Sequence, residues 1–219
     1  IRKPNFKKLL VAPFSFHESM LRLIGLEAKA ARSGKDARII IKVNSLIDPE
    51  CIDALYAASR AGVRVDLIIR GICGLRPGVK GLSENVSVRS LLGRFLEHSR
   101  VYHFQNAPRH QRTYLGSPDW MPRNFFRRVE VAFPIEDEEQ ETGLIGKLEG
   151  YLRDNQFATE LKGNGRYLKV ARRNRKFFSI QEHLISESVK ASEKEELEER
   201  LRRSAGKSEN QGKGDQEDA

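Results

Sequence analysis

With 219 residues, 39% of them hydrophobic and 32% charged, the chain has material for one substantial buried core plus accessory segments, but not for two full enzymatic domains. No apolar run approaches the roughly 18 residues that span a bilayer, and the basic first residues lead into no small-residue cleavage site. Neither a spanning helix nor a secretory leader is expected, and a cytoplasmic location is the default. The net charge of +9 draws polyanions at long range, which leaves nucleic acid, nucleotides and an anionic membrane surface all open as partners.

In chain order, residues 8–12 read as a short strand, and 16–31 carry Met20, Ile24, Ala28 and Ala31 at helical spacing. Ser33-Gly34-Lys35 breaks that pattern, and the β-branched run 37–43 predicts a buried strand. Asp48 before Pro49 supplies an N-cap and a first-turn proline, opening a helix through Ala58 that Gly62 ends. A third strand follows over 63–69, then a glycine-rich candidate binding loop over 71–84. Further strands are expected at 86–91, 100–104, 113–115 and 128–133, and a helix at 137–155.

This alternation predicts an α/β domain over residues 1–176: a parallel or mixed sheet flanked by helices, with ligands at the carboxyl ends of the strands. Residues 177–219 are expected to form a charged helix, densest over 192–203 with Leu197 and Leu201 as its apolar stripe, and a disordered polar tail from 204. Cys51 and Cys73 fit neither a zinc nor a redox spacing.

The richest stretch for chemistry runs from Arg70 to Glu130, where arginines recur among glycines. A guanidinium fork matches phosphate oxygens, and one charge-assisted hydrogen bond is worth about 1.5–3 kcal/mol. His98 stands at the mouth of a predicted strand, two residues before Arg100. The turn Gly116-Ser117-Pro118-Asp119 follows, and then Arg128 and Glu130 are expected on one face of a strand. A histidine, a cation two residues on and a Gly-Ser-x-Asp turn resemble the phospholipase D superfamily. There an imidazole attacks phosphorus or steadies the transferred phosphoryl group while cations neutralise its oxygens. That superfamily's lysine is Arg100 here and its aspartate position is Gln105, which weakens a phosphodiesterase reading. His103 and His110 are assigned to packing or surface, and His17 and His183 receive no role.

Longer segments carry a more specific resemblance. Residues 69–79, 81–85, 88–90 and 93–100, then 114–124 and 127–131, are similar to the C-terminal region of the bacterial polyphosphate kinases, and the likeness extends from about Lys8 to about Arg172. It implies a phospholipase D-like fold for the second of two facing domains. It also implies reversible transfer of the ATP γ-phosphoryl group to a histidine in the preceding domain and on to polyphosphate. Arg70 matches an ATP-binding position and His98 a position beside the phosphohistidine, with catalytic or nucleotide-binding duty; Arg100 and Arg128 join them around ATP or polyphosphate.

Implied partners are ATP or ADP, inorganic polyphosphate, and a missing N-terminal half or partner chain bearing the phosphohistidine. Magnesium is implied as the companion of ATP, with no ligand set in this chain. Homo-oligomerisation and peripheral membrane association stay open. The chain departs from the family at Asn106-Ala107-Pro108, where an Asn-Gly-Gly turn is usual, and at Phe125-Phe126, where a more polar pair is usual. A non-catalytic polyphosphate- or nucleotide-binding module is the alternative, ahead of a phospholipase D-like phosphodiesterase.

Overall fold

The computed structural model describes residues 6–171 and 175–211, with side chains as far as 198. Two compact units divide after Ser179. The first holds a nine-stranded mixed sheet in the order β1-β7-β6-β5-β2-β3-β4-β8-β9. Its strands are β1 (Leu10–Ala12), β2 (Arg38–Val43), β3 (Arg64–Ile69), β4 (Val86–Leu91), β5 (Arg100–Phe104), β6 (Thr113–Gly116), β7 (Glu130–Pro134), β8 (Ala158–Leu161) and β9 (Tyr167–Lys169). Strands β2, β3 and β4 run parallel; every other pairing is antiparallel. The mixed α/β sheet flanked by helices is therefore the architecture that the alternating pattern predicts.

Helices α1 (Phe16–Arg32) and α2 (Pro49–Arg60) pack on one face. Asp48 caps α2 by accepting from Cys51 N at 3.0 Å, with Pro49 in the first turn, as its sequence requires. Alternation along the strands sends Ile39, Ile41, Val65, Leu67 and Ile69 toward these helices, into a core with Phe16, Met20, Tyr102, Tyr114 and Trp120. The even-numbered partners Ile40 and Ile68 face the other way, where α4 (Glu138–Arg153) covers them with Leu148 and Leu152.

Three sequence expectations are corrected. Strand β7 begins at Glu130, not Arg128, because the short helix α3 (Pro122–Phe126) and a turn through Arg127 precede it; Asn124 Nδ2 donates to Glu130 Oε1 at 2.7 Å and fixes the strand's start. The hairpin β8–β9, closed by a turn in which Gly165 N donates to Lys162 O at 2.8 Å, was not anticipated. In the second unit the helix expected at 192–203 is the longer α5 (Ile180–Gln211), so residues 204–211 are helical instead of disordered, with no proline to interrupt them; residues 212–219 lie outside the described residues. Within α5, His183 and Glu187 pair at 3.3 Å, one turn apart.

Candidate functional site

The directions of the strands decide where functional groups gather. Strands β2, β3 and β6 end, and β5 and β7 begin, at the same edge of the sheet. The segments leaving or entering there are Asn44-Ser45, Arg70-Gly71, His98 to Arg100, Ser117 to Asp119, and Arg128 to Glu130. Together with Arg123 and Asn124 of α3 they line one cavity of about 500 Å³. The loops behind it are knitted by backbone bonds: Leu46 N to Ile72 O and Ile47 N to Trp120 O, both 2.9 Å.

Two glycines make the close approach feasible. A Cβ on Gly71 would lie 2.7 Å from Asn44 O, the atom to which Gly71 N donates at 2.8 Å. A Cβ on Gly116 would meet Ala132 Cβ at 2.8 Å and Val131 O at 2.9 Å. Any larger residue would push the β3 loop off the β2 loop, or β6 off β7.

Arg70 is half-buried and donates its Nε to Asn44 Oδ1 at 2.6 Å, which holds the guanidinium at the cavity wall. Arg100 is more tightly engaged. Its Nε and Nη2 reach the Asp119 carboxylate at 3.2 and 3.1 Å, and Nη1 donates to His98 O at 2.9 Å. The same Nη1 lies 3.3 and 3.4 Å from the two ring nitrogens of His98. Asp119 is buried and also accepts from Asn44 N at 2.7 Å, so one carboxylate braces both the β2 loop and the β5 start. Glu130 accepts from Ser117 Oγ and from Asn124 Nδ2. At the exposed rim, the guanidinium groups of Arg123 and Arg128 have no hydrogen-bonded or ion-paired partner among the described residues.

All four residues singled out in the sequence thus line the same cavity, with adjustments. His98 precedes β5 and is exposed, so it shares a pocket with Arg100 and not a strand face. Arg100 is an internal brace whose guanidinium is committed to Asp119 and His98 O. Asn44 goes unmarked in the sequence, and Arg123 stands among the recurring arginines without being singled out. The signal for both was local: a polar pair directly after a strand, and an arginine just after Pro122.

Other candidates separate from this site. His103 is buried beneath α4, and burial, with the Arg112 and Arg38 charges, lowers its pKa from 6.5 to about 4. Its Nδ1 lies 2.8 Å from Thr113 Oγ1, which donates to Glu141 at 2.6 Å, so the imidazole is neutral with its proton on Nδ1. Gln105 is tied to Asp36 at 3.2 Å. Asn106 bonds the buried Glu27 through Nδ2 at 2.8 Å while Ala107 enters the core, which fixes the divergent loop. Phe125 is buried against Phe16 and His17; Phe126 is half exposed. A second cleft of about 560 Å³ lies by β3, β4 and β8, but its cations already face carboxylates: Arg64 pairs with Asp66, and Arg89 and Lys162 with Glu160.

The site does not fit a protein-held magnesium ion. Both cavity carboxylates are taken up, Asp119 by Arg100 and Asn44, and Glu130 by Ser117 and Asn124. His17, Asp48 and Cys51 bring donor atoms within 4.8 Å of one another, yet none lines the cavity and a thiol is a poor donor for a hard cation.

Fold and site together define an α/β domain that presents a cluster of guanidinium groups and an imidazole at its strand ends. Residues 9–181 match the family model described as polyphosphate kinase C-terminal domain 2. The chain is 50% identical over 161 residues to a polyphosphate kinase of Paraburkholderia phytofirmans, covering 73% of the chain and 23% of that relative. It is 50% identical over 167 residues to one of Pseudomonas aeruginosa, covering 76% and 24%. The crystal structure of polyphosphate kinase from Porphyromonas gingivalis superposes with a TM-score of 0.78 at 34% identity, covering 87% of this chain and 29% of that one. The chain therefore belongs to the polyphosphate kinase family, and it spans about a quarter of the length of the curated relatives it matches.

Proposed function

We propose that this chain is the phosphate-binding C-terminal portion of a polyphosphate kinase, holding ATP phosphates or the end of a polyphosphate chain during reversible phosphoryl transfer. In that reaction the bond between the γ-phosphorus and the β–γ bridging oxygen of ATP breaks as a bond to a histidine nitrogen of the preceding domain forms, releasing ADP. The terminal oxygen of polyphosphate then takes the phosphoryl group from that nitrogen. Transfer of this kind depends on positioning and charge stabilisation, so a domain contributing cations and an imidazole has direct leverage on the rate.

One observation carries the reading: Arg70, His98 and Arg128, from three separate segments, line one cavity rimmed by arginines whose guanidinium groups lack partners among the described residues. Arg70, Arg123 and Arg128 supply cations for phosphate oxygens, and His98 supplies a ring nitrogen. Asp119 braces Arg100 and the β2 loop instead of orienting His98, which favours phosphate binding over phosphodiester hydrolysis. Magnesium enters with the nucleotide.

Titrating the full chain with sodium polyphosphate should give an affinity that falls steeply with salt. Arg70→Ala and Arg128→Ala should each weaken it about tenfold, the loss of one charge-assisted contact. No binding at low salt, or binding indifferent to both substitutions, would overturn the assignment. In the Pseudomonas aeruginosa relative, replacing the residue at the position matching His98 should abolish most ATP-dependent synthesis; normal synthesis would leave binding without catalysis as the role of this domain.

A further inference from the structure

Strand β2 is a β-branched run with one lysine in it, and pleating sends Lys42 to the α4 face beside Ile40. The residue is only 2% exposed. An ammonium ion withdrawn from water loses several kcal/mol of hydration, so it persists in the interior only where acceptors surround it. Nζ has three protons and three acceptors: Glu97 Oε2 at 3.0 Å, Ser99 Oγ at 2.8 Å and Ser99 O at 3.3 Å. The Tyr151 ring of α4 lies beneath it, 4.8 Å from Nζ to the centroid. The Tyr151 hydroxyl is itself hydrogen-bonded to Glu97 and its pKa is pushed up, first by burial and then by that bond.

The acceptors are the two neighbours of His98. They belong to an irregular segment, 92–99, in which Leu92, Phe95 and Leu96 stand 67, 52 and 71% exposed and so give it little apolar anchorage. Glu97, in contrast, has a side chain only 10% exposed, drawn under the sheet by Lys42. Burial lowers the Lys42 pKa, Glu97 opposes that shift, and the charges of Arg70 and Arg100 add to it, which puts the ammonium close to both cavity guanidinium groups. Lys42, Arg70 and Glu97 also border one small void.

We propose that Lys42 is a positioning residue: by gripping Glu97 and Ser99 on either side of His98, it sets where the imidazole stands in the phosphate cavity. The proposal rests on His98 belonging to that cavity's working groups. A merely structural ion pair would behave differently, since replacing both members with neutral groups of similar shape would restore stability and leave the loop where it was. A grip, once removed, leaves the loop loose even in a stable protein.

The discriminating variants are therefore Lys42→Met and the double variant Lys42→Met/Glu97→Gln, in which no unpaired carboxylate remains. Amide order parameters measured by NMR should fall for residues 97–99 from about 0.85 to below about 0.6 in both variants. The double variant should regain thermal stability while its affinity for sodium polyphosphate stays about tenfold weak. Unchanged order parameters and affinity in a folded variant would overturn the proposal. Should both variants fail to fold, the unmutated chain decides. The Lys42 Nζ signal and the Glu97 and Ser99 amides should shift together as polyphosphate saturates, and independence of Nζ from the ligand would overturn it. If the unmutated chain binds no polyphosphate, the phosphate-site reading fails by itself, and the order parameters still decide whether Lys42 holds the segment.

Discussion

On one face of the sheet, α1 and α2 cover Ile39, Ile41, Val65 and Leu67 with a core of aliphatic and aromatic groups. On the other, α4 covers Ile40 and Ile68 but also meets polar and charged groups: Glu149 with Arg38, Glu141 with Thr113, whose hydroxyl also meets His103, and Tyr151 with Lys42 and Glu97. The first face is held by area removed from water, which tolerates conservative exchange. The second is held by hydrogen bonds to ions, where losing one partner strands the other. The cavity's histidine is steadied from the second face, so a change under α4 reaches the site more readily than a comparable change under α1.

That contrast can be broken by experiment. Phe16 is fully buried, with ring contacts to Tyr102 and Phe125 at 5.5 and 5.6 Å. Phe16→Ala should lower stability by about 3–5 kcal/mol in denaturant titration, and a loss below about 1 kcal/mol would mean the apolar face is not the main store of stability.

The second test is pH. His103 keeps its neutral form down to about 4, whereas an unfolded histidine takes up a proton near 6.5. Below 6.5 the unfolded chain therefore binds the extra proton, and stability drains away as pH falls until the folded imidazole also protonates near 4. The full window is worth on the order of 3 kcal/mol. The groups facing His103 are Arg112, Arg38 and Glu149, besides Thr113. Thermal melts of the native chain should fall more steeply between those pH values than melts of His103→Gln, and parallel curves would place the acid sensitivity elsewhere.

Smaller still is Arg38→Met. It removes one cationic partner of the buried Asp66, which keeps Arg64 and the Ser87 hydroxyl, and Glu149 is 36% exposed and keeps part of its hydration, so the loss should be about 2 kcal/mol, short of the 3–5 for a wholly buried pair. Adding Asp66→Asn should recover most of it, and failure to recover would argue for a packing role of the arginine stem.

The sheet's centre was legible because its strands are β-branched runs bounded by glycine and proline, and α2 because Asp48-Pro49 is an explicit start signal. Helix α3 was not, since five residues complete little more than one turn and show no period. The β8–β9 hairpin left one overlooked clue, Asn164-Gly165, a turn pair between two short runs of unremarkable strand propensity; Gly165 adopts φ of +82°. At the cavity, arginine content indicated phosphate but could not distinguish Arg100, a brace, from Arg128, a rim cation whose guanidinium has no partner among the described residues. That difference depends on Asp119, nineteen residues from Arg100 in sequence and 3.1 Å away in space. The place of Lys42 was equally hidden, because a single lysine within a hydrophobic strand has no local partner.

The convergence of five strand ends on one cavity has a consequence for how the domain responds to its ligand. Asn44, Arg70, His98, Asp119 and Arg128 meet only after the sheet has closed from β2 through β7, so no partly assembled chain can present the complete set. Occupancy by the phosphate ligand proposed for the cavity would then act as a final strut across these strand ends: a ligand at a hundred times its dissociation constant would add about 2.7 kcal/mol to global stability. Protection from proteolysis should accordingly spread to β2, β5 and β7 together.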